Sequence, residues 1–171
     1  ETNAIFNGEP VKVDISASTG GYIVTAAAGT ATVGVLNGVF FTAATTLKPT
    51  FSNFYPAATT PANSEDVTAF VNDDPLQEYI IASDATLGAT LALRKSKVGL
   101  TYATTSAAGS TTTGKSSVQL GISTAATTAK ALRVVRVAED PENEDQTAAN
   151  CSVVVKINLH QYTVGSLATG I

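Results

Sequence analysis

Methionine and tryptophan are absent from this chain of 171 residues, and cysteine and histidine occur once each. A single cysteine excludes an internal disulfide, and one Cys with one His cannot supply the four soft ligands of a structural zinc site. Charge is scarce too, with 10 Lys and Arg against 14 Asp and Glu and a net charge of −4. A protein that holds nucleic acid by neutralising phosphates is normally basic, so nucleic acid is not an expected partner. Apolar runs last only a few residues, far below the roughly 20 that a transmembrane helix needs, and no membrane span is expected. No signal-peptide pattern is visible. The chain starts on Glu1 rather than Met, as expected of a processed product or a piece of a longer one.

What the chain does have is small and β-branched. Alanine (27), threonine (26) and serine (13) make up nearly two-fifths of it. Ile, Leu, Val and Phe number 42, about a quarter of the chain, which suffices for a core. The length fits a single β-domain over residues 1–171, with residues 1–10 as an N-terminal arm.

Period-2 alternation dominates. Pro10–Ser16 places Val11, Val13 and Ile15 on one face, Ser117–Ser123 does the same with Val118, Leu120 and Ile122, and Ser152–Leu159 with Val153, Val155 and Ile157. These residues are expected to face a core. Shorter β-branched or aromatic runs lie at Tyr22–Thr25, Thr32–Leu36, Gly38–Thr42, Val67–Val71, Glu78–Ala82, Leu100–Thr104 and Leu132–Ala138. Gly20-Gly21, Asn37-Gly38, Asn72–Pro75 and Gly109-Ser110 punctuate them. The pattern predicts an all-β fold, a compact barrel or sandwich of about ten short strands, with an extended N-terminal arm. Asn37-Gly38 reads as a hairpin turn, since both residues tolerate positive φ. The one helix candidate is Leu91–Val98, with Thr90 as N-cap, Lys95 and Lys97 in its last turn and Gly99 as stop.

Gly109-Ser110-Thr111-Thr112-Thr113-Gly114-Lys115-Ser116 fits the phosphate-loop pattern at every position. That chemistry needs a helix starting at the lysine, whereas the residues that follow alternate as a strand does. The expectation is a Thr- and Gly-rich loop leading into a strand, with no nucleotide. Asp73 and Asp74, with Asp84 or Glu78, offer hard oxygens of the kind Ca²⁺ takes, but Pro75 makes a turn the simpler reading. Glu139–Asp145 lacks the glycine and spacing of a calcium loop and reads as a solvated acidic loop. His160 has no nucleophile elbow to serve, and Cys151 precedes an apolar strand, so both read as structural. Asn150-Cys151-Ser152 fits a glycosylation sequon in form only. Arg94-Lys95-Lys97 and Lys130-Arg133-Arg136 suit a polar rim or an acidic protein surface. No catalytic, cofactor-binding or metal-binding residue is expected.

Several segments together resemble the head decoration, or cement, proteins of tailed bacteriophages. They are Asn7–Val13, Val33-Gly34-Val35, Gly38-Val39-Phe40, Phe51–Pro56, Ala69–Pro75, Gly109–Ser117, Leu132–Val135 and the ending Val155–Gln161 with Thr169-Gly170-Ile171. The resemblance implies a non-enzymatic virion component on the outer surface of the head that clamps neighbouring major capsid proteins. Similar proteins carry a further stretch ahead of the Gly-Glu-Pro-Val strand. On this basis the chain is expected to self-associate, as a homotrimer, with Glu1–Asn7 reaching a neighbour and touching its own domain little. The other reading of a Thr- and Ala-rich β-domain is a receptor- or glycan-binding module on a virion or cell surface, for which exposed aromatic clusters are expected; the only such stretch in the sequence is Phe51-Ser52-Asn53-Phe54-Tyr55. Location on the virion separates the two readings, evenly over the head for decoration and at fibre tips for adhesion.

Overall fold

The computed structural model describes residues 3–16, 20–105, 107–138 and 146–163. Among them are nine short strands, every strand pairing antiparallel, and one short α-helix. The all-β expectation holds. The chain forms two compact units, each assembled from separate stretches: unit 1 from Glu1–Thr25, Val33–Asp73 and Ala107–Val118, unit 2 from Ala26–Thr32, Asp74–Ser106 and Gln119–Ile171.

Unit 1 is built on one sheet of β1 (Pro10–Val13), β2 (Ile23–Thr25), β3 (Gly34–Thr42), β4 (Pro49–Ser52) and β5 (Thr68–Asn72). Val35 pairs with both Pro10 and Asn72, and Phe40 with both Phe51 and Thr68. Thus β1 and β4 share one edge of β3, and β5 takes the other. The expected Asn37-Gly38 hairpin does not form, because β3 runs straight through it with a bulge between Leu36 and Gly38. A Cβ on Gly38 would lie 2.8 Å from the Phe51 ring and 2.9 Å from the Ser52 carbonyl oxygen. The glycine therefore answers a close approach of β4, not a turn. The bulge resets the phase so that Leu36 and Val39, three apart, both face the core.

Unit 2 carries the second sheet, in the order β6 (Glu78–Ala82), β9 (Ser152–Ile157), β8 (Leu132–Val137), β7 (Thr101–Tyr102). Its core gathers Leu87, Tyr102, Leu120, Leu132, Val134, Val153 and Val155, all buried. The Tyr102 hydroxyl donates to the Lys97 carbonyl at 3.1 Å, so the ring is buried without stranding its polar end. Burial pushes the Tyr102 phenol above its ordinary pKa. Helix α1 (Leu91–Lys95) starts as expected, with the Thr90 hydroxyl accepting from the Leu93 N–H at 3.3 Å.

Of the nine residues expected in a core, Val11, Leu120, Ile122, Val153, Val155 and Ile157 are buried, while Val13 and Val118 are half-buried. Ile15 is 70% exposed, contrary to expectation. Strand β1 ends at Val13, and the Asp14 carboxylate then turns the chain by accepting from the Ser16 N–H and hydroxyl. Ser117–Ser123 is not a strand either. Leu120 makes isolated bridges to Ser83 and Thr104, and Ile122–Thr124 closes into a 3₁₀ turn.

The N-terminal segment also departs from expectation over its described part. Ile5 and Phe6 are buried, Ile5 exchanges backbone hydrogen bonds with Tyr55, and the Asn7 N–H donates to Gly114. Phe6 stacks on Phe54 with ring centroids 5.5 Å apart. An apolar Ile-Phe pair gains more from its own unit than from solvent, so the segment is extended but knitted into unit 1.

Candidate functional site

The outward face of the unit 1 sheet is aromatic. Side chains alternate along a strand, so β3, β4 and β5 turn Leu36, Val39, Ala69 and Val71 inward and Phe40, Phe51 and Phe70 outward. The three phenylalanines are 41%, 64% and 45% exposed. Phe40 lies directly across from Phe51, and Phe70 across from Gly38. With no Cβ on Gly38, the Phe51 ring leans over β3 towards Phe70, the centroids 5.9 Å apart and the rings tilted by 47°. Thr68 and Asn72 flank Phe70 on β5 and are also exposed. The patch is apolar at its centre and polar at its margin.

Sequence reasoning named Phe51-Ser52-Asn53-Phe54-Tyr55 as the aromatic stretch, but the structure sends its rings to different places. Phe51 faces solvent, Phe54 covers Phe6, and Tyr55 is half-buried on the core. The members that join Phe51 come from β3 and β5, where only the strand register reveals them.

Unit 1 also holds a cleft of about 720 Å³. Its floor is apolar, formed by the buried side chains of Ile5, Leu36 and Val39. Asp14, Glu65 and Asp66 supply every charge among the described residues lining it. At its mouth the Tyr22 hydroxyl donates to Asp66 Oδ1 at 2.9 Å. That hydrogen bond, and then the Asp66 charge, raises the Tyr22 pKa by favouring the neutral phenol. The cleft suits a ligand that is apolar in part and cationic at its end.

Several of the remaining candidates have partners within the fold. In Gly109–Ser116 the Ser110 N–H donates to the Lys115 carbonyl at 2.9 Å and the Gly114 N–H to the Ser110 carbonyl at 2.7 Å. Thr113 N–H and Lys115 N–H go to the Ser110 and Thr113 hydroxyls. No helix starts at Lys115, which makes a single bridge to Asn7; the Ser110, Thr113, Gly114 and Lys115 N–H groups are engaged within the loop, and that of Ser116 donates to the Asn7 carbonyl. Gly114 has φ +69°, and a Cβ there would run into the Asn53 side chain, which accounts for the second glycine of the pattern.

Asp74 forms the expected turn, its carboxylate accepting from the Leu76 N–H at 2.8 Å. Asp84 accepts from the Ile122 N–H at 2.8 Å. Glu78 pairs with Arg136 and Lys156, both at 3.6 Å. Among the described residues, no three His, Cys, Asp or Glu come together as a metal would require. His160 is buried, with Nδ1 accepting from the Tyr162 N–H at 3.1 Å. Cys151 is buried in the unit 2 core. The side chain of Asn150 accepts from Gln119 at 2.6 Å. Glu139–Asp145 lies outside the described residues. Arg94 donates to the Gly88 carbonyl at 3.1 Å, and Arg133 is exposed on β8. No protein-family model, no curated protein and no solved structure matches this chain.

Proposed function

We propose that this chain is a structural virion protein that decorates the outer surface of a tailed-phage head, clamps neighbouring major capsid proteins and associates with its own copies as a trimer. The observation that carries the reading is the Phe40, Phe51 and Phe70 face. Single exposed apolar side chains are ordinary, whereas a contiguous aromatic patch with a polar margin supports protein docking. The motif resemblance supplies the capsid as partner, and the aromatic face supplies a means of gripping it. Repetition on a closed lattice turns modest contacts into high avidity. The same face is the exposed aromatic cluster that the second reading calls for, because aromatic planes stack on sugars, and the resemblance of the sequence motifs is what favours the capsid.

Co-sedimentation with heads lacking their decoration protein tests the proposal. The intact protein is expected to pellet with heads, and the double variant Phe51→Ser, Phe70→Ser to bind at least about tenfold more weakly, a difference of about 1.4 kcal/mol. An intact protein that stays in the supernatant overturns the decoration reading, and retention on a glycan array would then favour the second.

A further inference from the structure

The unit 1 cleft sets three carboxylates, those of Asp14, Glu65 and Asp66, around an apolar interior. Half-buried Ile23, Val67 and Ala69 leave aliphatic surface open to it above the buried floor. Tyr22 and Tyr55 line it as well, and Tyr22 is 53% exposed. All ten Lys and Arg of the chain fall among the described residues, and none of them lines the cleft. The ion pairs among the described residues are made elsewhere, by Glu78. The acidic edge thus has no cation of its own chain to answer it.

The backbone holds that edge in place. The 3₁₀ turn Ala62–Ser64 delivers Glu65 and Asp66 to the mouth, with the Glu65 N–H donating to the Ala62 carbonyl at 3.1 Å. Asn63 and Ser64 both take positive φ in this turn, +56° and +55°, a conformation uncommon outside glycine. The Tyr22 hydroxyl engages only Oδ1 of Asp66. The second oxygen of Asp66 and the exposed carboxylate of Glu65 are left facing the solvent-filled mouth.

We infer that this cleft is a binding site for a small organic cation, an apolar or aromatic body ending in an ammonium group. The body covers the half-buried aliphatic surface, and the ammonium meets Glu65 and Asp66 beside Tyr22. Carboxylate oxygens and aromatic faces both attract an ammonium, and the cleft offers both. Other ligand classes fit less well. An anion meets three like charges, and a neutral ligand covers carboxylates without supplying a counter-charge. A hard metal ion needs several converging oxygens, and among the described residues no three His, Cys, Asp or Glu come together. A volume of about 720 Å³ lies in the roughly 300–1,000 Å³ range of small-molecule sites. The inference goes beyond the capsid reading and does not depend on it.

Nuclear magnetic resonance titration of the isotope-labelled intact chain with phenethylammonium tests the inference. Phenethyl alcohol and hydrocinnamate serve as neutral and anionic counterparts with the same aromatic body. The ammonium is expected to bind saturably with a Kd of about 5 mM or tighter, and each counterpart at least about tenfold more weakly. The signals that move are expected to be those of Tyr22, Val24, Val67 and Ala69. The double variant Glu65→Gln, Asp66→Asn is expected to bind the ammonium at least about tenfold more weakly than the intact chain. Both side chains are exposed, so the variant is expected to keep the circular dichroism of the intact chain. An ammonium that does not saturate in this range, an alcohol that binds as tightly, or a double variant that binds as the intact chain does would each overturn the assignment. Shifts confined to Phe40, Phe51 and Phe70 would overturn it too, by placing the aromatic body on the outward face. No heads enter the assay, so capsid binding is judged separately.

Discussion

In unit 2, eleven buried side chains form one cluster around Tyr102, Leu120 and Val153. Unit 1 fully buries five in its cluster, with seven more half-buried against them, and leaves both a cleft and an aromatic face open. Each unit leaves six large apolar side chains exposed among the described residues, so the difference lies in what each encloses. Unit 2 closes the larger cluster. Unit 1 opens its core onto the cleft and sets Phe40, Phe51 and Phe70 side by side, where burial by a partner releases further free energy at about 25 cal/mol per Å². Unit 2 holds the larger enclosed core, and unit 1 the open cleft and the aromatic face.

The strongest way to break that comparison is to hollow out the unit 2 core. Tyr102→Ala removes a ring with no exposed surface and is expected to cost about 3–5 kcal/mol, read from urea denaturation. A like-for-like pair sharpens it further. Leu120 and Leu36 are both essentially buried, at 0% and 1%, but Leu36 borders the cleft. Truncating Leu120 forfeits contacts on all sides, whereas Leu36 has open space on one. Within the roughly 2–5 kcal/mol range for Leu→Ala, Leu120→Ala is expected near the top and Leu36→Ala near the bottom. An equal or reversed order would mean that unit 1 is as tightly filled as unit 2. Phe51→Ser belongs to the other class of effect. It is expected to cost no more than about 1 kcal/mol, because most of the ring is already in water and only its contacts with Gly38 and Phe70 are lost. A large loss there would make the aromatic face part of the fold instead of a free surface.

The uneven legibility of the two units follows from the same physics. Strands β6, β8 and β9 are written in Val, Ile and Leu, whose alternation and β-branching speak locally. Strand β4 carries Pro49-Thr50-Phe51-Ser52, with one large apolar residue and no alternation to mark it as a strand. Asn37-Gly38 has the chemistry of a turn and serves as a bulge, because the approach of β4 is a long-range fact that a local motif does not contain. Both candidate surfaces share this limit. Phe40, Phe51 and Phe70 become neighbours only through register, and Tyr22 meets Asp66 across 44 residues of sequence. Thr90 as helix cap and Asp74 as turn former were legible because their partners lie two or three residues away.

The smallest expected effect tests whether the mouth of the unit 1 cleft is held in place. The Asp66 hydrogen bond, then its charge, raises the Tyr22 pKa above the ordinary value of 10.0. The folded state therefore favours the protonated phenol. Any stability the contact contributes is complete below the unfolded pKa of about 10 and is lost as pH rises through the higher folded value. Subtracting the ultraviolet pH titration of Tyr22→Phe from that of the intact chain isolates this phenol from the other four tyrosines, including the raised Tyr102. The isolated midpoint is expected above 10, and Asp66→Asn is expected to lower it, since an amide oxygen still accepts the hydrogen bond but carries no charge. A midpoint that does not move on that substitution would mean that Tyr22 and Asp66 part in solution. The carboxylate at the mouth would then be free to turn away, and the cleft would lose the fixed acidic edge that distinguishes unit 1 from its closely packed counterpart.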